Sequence, residues 1–140
     1  MKNIFFVAMT IVFSSATIFA QNKISKDIET TFNLKFPKAT KVKWDKENAH
    51  EYEASFTENG VKHSANFSDK GEWLETESPI TFKELPLKVQ TNFNNSNKGS
   101  KVKAIAKIEN SKGETQFEIE VKKGLKTVEY FYNPEGILIK

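Results

Sequence analysis

Apolar residues recur along this chain first at a spacing of four and then at a spacing of two, and the sequence of spacings occurs twice. Ile24, Ile28 and Phe32 stand four apart, which places them on one face of a short helix. Asn22 or Ser25 is positioned to cap its start, and Phe36-Pro37 ends it, because the residue before proline is pushed out of the helical region. Residues 41–44 (Lys-Val-Lys-Trp) then alternate as a strand, and residues 45–48 make a polar turn. Tyr52, Ala54 and Phe56 alternate along a second strand that runs into a turn at Gly60. Phe67 lies on a third, and Trp73 and Leu74 follow a tight turn at residues 69–71.

The second half follows the same plan. Leu85-Pro86 opens a helix, with proline tolerated in its first turn, and Val89 and Phe93 form the apolar face. Residues 94–100 are a turn-forming linker, and residues 101–108 are the matching strand, with Val102 standing where Val42 stood. Phe117, Ile119 and Val121 alternate into a turn at Gly124; Tyr132, a turn at residues 134–136 and Ile137-Leu138 complete the series. The period is about 60 to 65 residues, and one such unit has too little apolar surface to close a core alone. The expected fold is therefore α+β: two tandem helix-plus-antiparallel-strand units, about residues 22–79 and 80–140, forming one two-layer domain. Its sheet has up to eight strands, with both helices on one face. The joint at Ser78-Pro79-Ile80 is short, so one continuous fold is expected rather than two hinged lobes.

The other face of that sheet has a readable composition. With Val42, Tyr52, Ala54 and Phe56 turned inward, Lys41, Lys43, Glu51 and Glu53 point out. With Val102, Ala104, Phe117, Ile119 and Val121 inward, Lys101, Lys103, Lys107, Glu118 and Glu120 point out. Two readings stand beside each other. One is a solvated face laced with lysine–glutamate pairs, each contributing about 0.2 to 1 kcal/mol. The other is a partner surface, with Lys43, Glu53, Lys103, Glu118, Glu120 and Phe131 as candidate contacts. Ile105 and either Trp73 or Leu74 would be further apolar anchors if they lie on that side.

The first twenty residues have a different task. Lys2 precedes an apolar run over residues 4–13, broken only by Thr10, and small residues lead to a cut between Ala20 and Gln21. That is the layout of a secretory signal peptide, and the run is short for a membrane span. The expectation is an exported protein, periplasmic or secreted, with mature residues 21–140 and no stable membrane insertion after cleavage. Loss of Lys2 lowers the formal charge from +3 to +2. All the positive charge is lysine, so the arginine fork that reads nucleic acid is missing, and a nucleic-acid partner is not expected. There is no cysteine, which excludes disulfides and attachment of lipid through an N-terminal Cys.

Catalytic and metal signals are weak. His50 and His63 belong to no cluster at ligand spacing, and no nucleophile-elbow glycines surround Ser64 or Ser68. Asp69 with Gly71 suits a hairpin turn better than a calcium loop. Glu72, Glu75 and Glu77 form an acidic run that is ordinarily just solvated. No cofactor or enzymatic activity is expected.

One pattern spans the mature chain: Phe36-Pro37-x-Ala39, Val42-x-Trp44, Tyr52-x-Ala54-x-Phe56, then Ala65-x-Phe67-x-Asp69-x-Gly71-x-Trp73-x-Glu75-Thr76-Glu77, with Leu85-Pro86-x-x-Val89 downstream. It resembles the PepSY-like, β-lactamase-inhibitor-like family of small exported proteins typical of Bacteroidetes. The second unit matches more loosely: Ala104 falls near the place of Trp44, and Leu138 replaces Trp73. The resemblance implies a tandem fold similar to β-lactamase inhibitor protein and an envelope location; it brings no established functional residues, since fold does not carry function. The function expected is a noncatalytic extracytoplasmic protein-binding or inhibitor-like module. It would act as a monomer, with another envelope protein as its partner. The alternative is a carrier of a small or lipophilic ligand, held between helices and sheet by the many phenylalanines.

Overall fold

The computed structural model describes residues 24–139. The signal segment expected at residues 1–20 lies outside them. Helix α1 (Lys26–Lys35) is followed by strands β1 (Thr40–Lys46), β2 (Glu51–Glu58), β3 (Val61–Ser68) and β4 (Trp73–Pro79). A short 3-10 turn (Phe82–Glu84) then leads into helix α2 (Leu87–Ser96) and strands β5 (Lys101–Asn110), β6 (Thr115–Lys123) and β7 (Lys126–Tyr132). The seven strands form one antiparallel sheet in chain order. The eighth position is reduced to a single bridge from Tyr132 to Leu138.

The helices form where the four-residue spacing puts them. Ser25 caps α1 by accepting a hydrogen bond from the Ile28 amide at 3.3 Å, and Phe36 closes it. Ile28 and Phe32 are buried on the face of α1 that meets the sheet, as Val89 and Phe93 are on α2. Each helix gathers its own core. Around α1 lie Ala54, Phe56, Ala65 and Phe67, with Trp44, Tyr52 and Trp73 packed against them. Around α2 lie Leu85, Ile105, Phe117, Ile119, Val121 and Tyr132.

The two halves match down to their turns. After β3, the Gly71 amide donates to the Ser68 carbonyl, and the Glu72 amide donates to the Ser68 hydroxyl at 3.1 Å. After β7, the Gly136 amide donates to the Asn133 carbonyl, and the Ile137 amide donates to the Asn133 side-chain oxygen at 2.8 Å. Both glycines have positive φ, and both lie against the first turn of their helix. A Cβ on Gly71 would come within 2.8 Å of the Asp27 Cβ, and one on Gly136 within 2.8 Å of the Lys88 carbonyl carbon. Gly71→Ala or Gly136→Ala is thus expected to cost about 2 kcal/mol, from the left-handed backbone and the forced shift of a helix. Urea denaturation checks this, with Gly113→Ala as a control that keeps the positive φ but meets nothing within 4 Å.

Several side assignments change. A bulge between Val102 and Ala104 adds a residue to β5 opposite β6. Ala104 therefore faces away from the helices, opposite Glu120, rather than inward as the alternation predicted. Lys107, predicted to point out, lies opposite Phe117 on the helix side and pairs with Glu109 at 2.9 Å. Ile105 belongs to the α2 core and Trp73 packs against the α1 core, so neither anchors the open face. Leu74 is the extra residue of a second bulge, between β3 and β4.

Candidate functional site

Among the described residues no helix covers the second face of the sheet, and the residues of that face follow from the cross-strand register, since residues directly opposite share a face. One row runs Asp45, Glu53, Asn66, Glu75, Asn110 from β1 to β5. The next runs Lys43, Ser55, Ser64, Glu77, Ile108, Gln116 from β1 to β6. A third runs Pro79, Ala106, Glu118, Phe131 from β4 to β7, and a fourth Ala104, Glu120, Glu129. Small residues (Ser55, Ser64, Ala104, Ala106) alternate with glutamates across these rows, which leaves room beside the long side chains.

The result is not a wet mosaic. Glu118 is 3% exposed and Glu120 is 7%, while Ser64 and Asn66 are each 8%. Lys103, carried by the β5 bulge, reaches Glu120 at 3.3 Å. Around Glu77 the charges are of one sign: Glu53, Glu75, Glu120 and Glu129 act on it. Burial first, and these neighbours second, push the Glu77 carboxyl up to about 7 and that of Glu118 up to about 9. Burial and the nearby Glu47 bring Glu53 to about 7, against hydrogen bonds from Ser55 and Ser64 that favour its charged form. Burial raises Glu75 as well. Among the neighbours, the Glu77 carboxyl acts most strongly on Glu118.

The residues singled out in sequence fall as follows. Glu53, Glu118, Glu120 and Phe131 share the open face, Lys103 joins them through Glu120, and Lys43 lies on the edge strand in the row of Glu77. Glu75 and Glu77, which the sequence offered as a solvated acidic run, complete the acidic patch together with Glu129, which it did not single out. The alternation of Glu75 and Glu77 with Thr76 and Ser78 was the available signal, because it puts both carboxylates on the side away from the helices.

The helix side carries a different feature. Between the two cores the facing residues of β4 and β5 are polar, and a half-open cleft of about 600 Å³ lies there. His63 stacks on Phe56 with ring centroids 5.6 Å apart, and its Nδ1 lies 3.0 Å from the Ser78 hydroxyl. The Lys35 ammonium sits 3.5 Å from the Trp73 ring centre at the cleft wall. His50 is exposed and bonds Asp69 at 3.0 Å. Among the described residues no group of three or more His, Cys, Asp and Glu is placed to hold a metal ion, and no helix is long and apolar enough to cross a membrane.

Comparison with known proteins adds the following. The family model described as "Putative beta-lactamase-inhibitor-like, PepSY-like" matches residues 50–140. A DUF2874 family protein from Bacteroides ovatus ATCC 8483, of known structure, is 25% identical with a TM-score of 0.75; the match covers 85% of this chain and 86% of that one. A BLIP-like protein from Bacteroides fragilis NCTC 9343 is also 25% identical, with a TM-score of 0.71 and 86% of each chain covered. A "putative periplasmic" protein from Bacteroides eggerthii DSM 20697 has a TM-score of 0.78 at 18% identity, over 85% of this chain and 88% of that one, a likeness of fold alone. No curated protein matches the chain.

Proposed function

The chain belongs to the PepSY-like, β-lactamase-inhibitor-like family, and from that premise we propose that it is a noncatalytic module of the cell envelope that binds another protein on the open face of its sheet. One observation carries the reading: on a face that neither described helix covers, glutamates are withdrawn from water beside carboxylates of the same sign. A surface that only keeps a protein soluble leaves such groups extended and hydrated. Held as they are, they cost stability that a binding surface recovers when a complementary partner arrives. Likeness to a BLIP-like protein supports the inhibitor-like form of this reading, and the charged start, apolar run and small residues of positions 1–20 support export.

Site-specific photocrosslinking in the native envelope tests it. A photoreactive phenylalanine analogue at Phe131, on the open face, is expected to trap one discrete protein; the same group at Leu87, exposed on α2, is not. Adducts from Leu87 alone would place the contact on the helices and end this reading.

The cleft supports a second reading, a small-ligand carrier. Its walls mix Phe36, Phe56 and Trp73 with His63, Thr76 and Ser78, which suits a polar aromatic ligand better than a lipid chain. A carrier gains thermal stability with its ligand present, and His63→Leu would remove that gain.

A further inference from the structure

We infer that the open face captures a lysine or arginine side chain presented by an extended segment of the partner protein, seated over Ala106 between Glu77 and Glu118. The inference rests on the protein-binding reading and names what the partner brings.

Glu118 supplies the first argument. Its side chain is buried, and its Oε1 atom has no hydrogen-bond partner. Buried carboxylate oxygens are otherwise paired, because leaving one unpaired forfeits its hydration with nothing in exchange. The missing element is a donor, and the local charge says that the donor is a cation. Glu77 and Glu120 face Glu118 from β4 and β6, Glu129 from β7, with Glu53 and Glu75 beyond Glu77; of the lysines on this face, Lys103 is engaged with Glu120, and Lys43 and Lys62 stand on β1 and β3.

Geometry supplies the second. Glu77 lies opposite Ile108 and Glu118 lies opposite Ala106, so the two glutamates flank β5 on a diagonal that crosses between Ile108 and the small Ala106. Ala104 continues this low floor along the strand. An ammonium or guanidinium entering there meets both carboxylates, and its several N–H donors satisfy Oε1. The absence of a three-ligand cluster among the described residues turns the choice away from a metal ion. Ile108 and Phe131, on the same face at either side, give the flanking residues of an extended segment apolar contact.

Capture then expels protons. The cation favours the charged carboxylates, so affinity rises with pH while the partner's lysine or arginine keeps its own charge.

The test selects a phage-displayed library of short random peptides on the immobilised protein, resynthesises the enriched peptides and measures their affinity by calorimetry. Enriched peptides are expected to carry a basic residue whose replacement by norleucine or citrulline weakens binding about tenfold or more. Glu118→Gln in the protein should produce a similar loss, as should Ala106→Leu, which fills the floor and keeps the charge. Glu109→Gln, on the helix side, should change nothing. Affinity should rise at least about tenfold between about pH 6 and pH 8. Circular dichroism confirms folding, and the isosteric Glu118→Gln keeps the test readable if Ala106→Leu does not fold. Peptides that need no basic residue, yet are displaced by the photoreactive substitution at Phe131, overturn the cation and leave the protein-binding reading standing. Peptides indifferent to Glu118→Gln, Ala106→Leu and Phe131 alike overturn both, and no enrichment overturns the capture.

Discussion

Phe32→Ala is expected to remove about 3–5 kcal/mol of stability, the largest loss from any single side chain of the α1 core. Phe32 is 2% exposed and meets four rings: Phe36 at 5.4 Å, Trp44 at 5.2 Å, Phe56 at 5.2 Å and Phe67 at 6.0 Å between centroids. Three of these pairs are edge-on, a geometry that contributes about 0.5–1.5 kcal/mol each beyond the area buried. Those rings come from the end of α1 and from β1, β2 and β3, so one truncation loosens the helix and three of the four strands of the first unit. Phe93, its counterpart on α2, meets Phe82 at 6.1 Å and Tyr130 at 6.0 Å, and its other neighbours are mostly aliphatic. Phe93→Ala should therefore cost less. Because β4 pairs with β5 over five residue pairs, the sheet is continuous across the two halves, and either variant should still unfold in one transition. At roughly 4 °C per kcal/mol, Tm for Phe32→Ala falls by about 12 °C or more. A larger loss for Phe93→Ala, or a separate early transition in Phe32→Ala, would contradict the account of a first unit built round one ring.

The alternating pattern carried most of the fold. Helix faces at Ile28, Phe32, Val89 and Phe93 came straight from spacing, because a helix that must cover a sheet has few ways to place its apolar residues. The inward sides of β2 and β6 were legible for the same reason. Bulges were not. The extra residue in β5 moved Ala104 outward and Lys107 inward, and no local residue type announced it, since strand parity is a property of the pairing and not of one strand. The candidate site was half legible. Alternation put Glu53, Glu118 and Glu120 on the correct side, and the general rule that exposed carboxylates are solvated then hid what they do there. Their neighbours are residues of other strands, Ser64 and Ala106 among them, and that neighbourhood exists only when β2 to β7 lie side by side.

That burial gives the patch a pH signature. The carboxyls of Glu53 and Glu77 are raised from 4.5 to about 7 and that of Glu118 to about 9. In the unfolded chain these groups release their protons near their ordinary values. Between about pH 4.5 and pH 9 the folded protein thus holds protons that the unfolded chain has lost, and stability is complete below that window and drains away as pH rises through it. A tenfold change in proton affinity on folding corresponds to about 1.4 kcal/mol, and because the groups sense one another their protons leave as a coupled set. Tm is expected to fall by about 10 °C or more from pH 5 to pH 8.5, taking roughly 4 °C per kcal/mol. Glu118→Gln should remove about half of that slope and make the protein more stable at pH 8. Glu109→Gln, whose carboxylate pairs with Lys107 on the other side of the sheet, should leave the slope as it is. A Tm that holds level or climbs over this range would mean that the open face carries no buried charge. With the peptide measurements, Glu118→Gln separates two roles for one residue. A glutamate kept only for folding is not one whose removal strengthens the fold; a glutamate kept for a partner's cation is expected to strengthen the fold when replaced and to lose the partner in the same substitution.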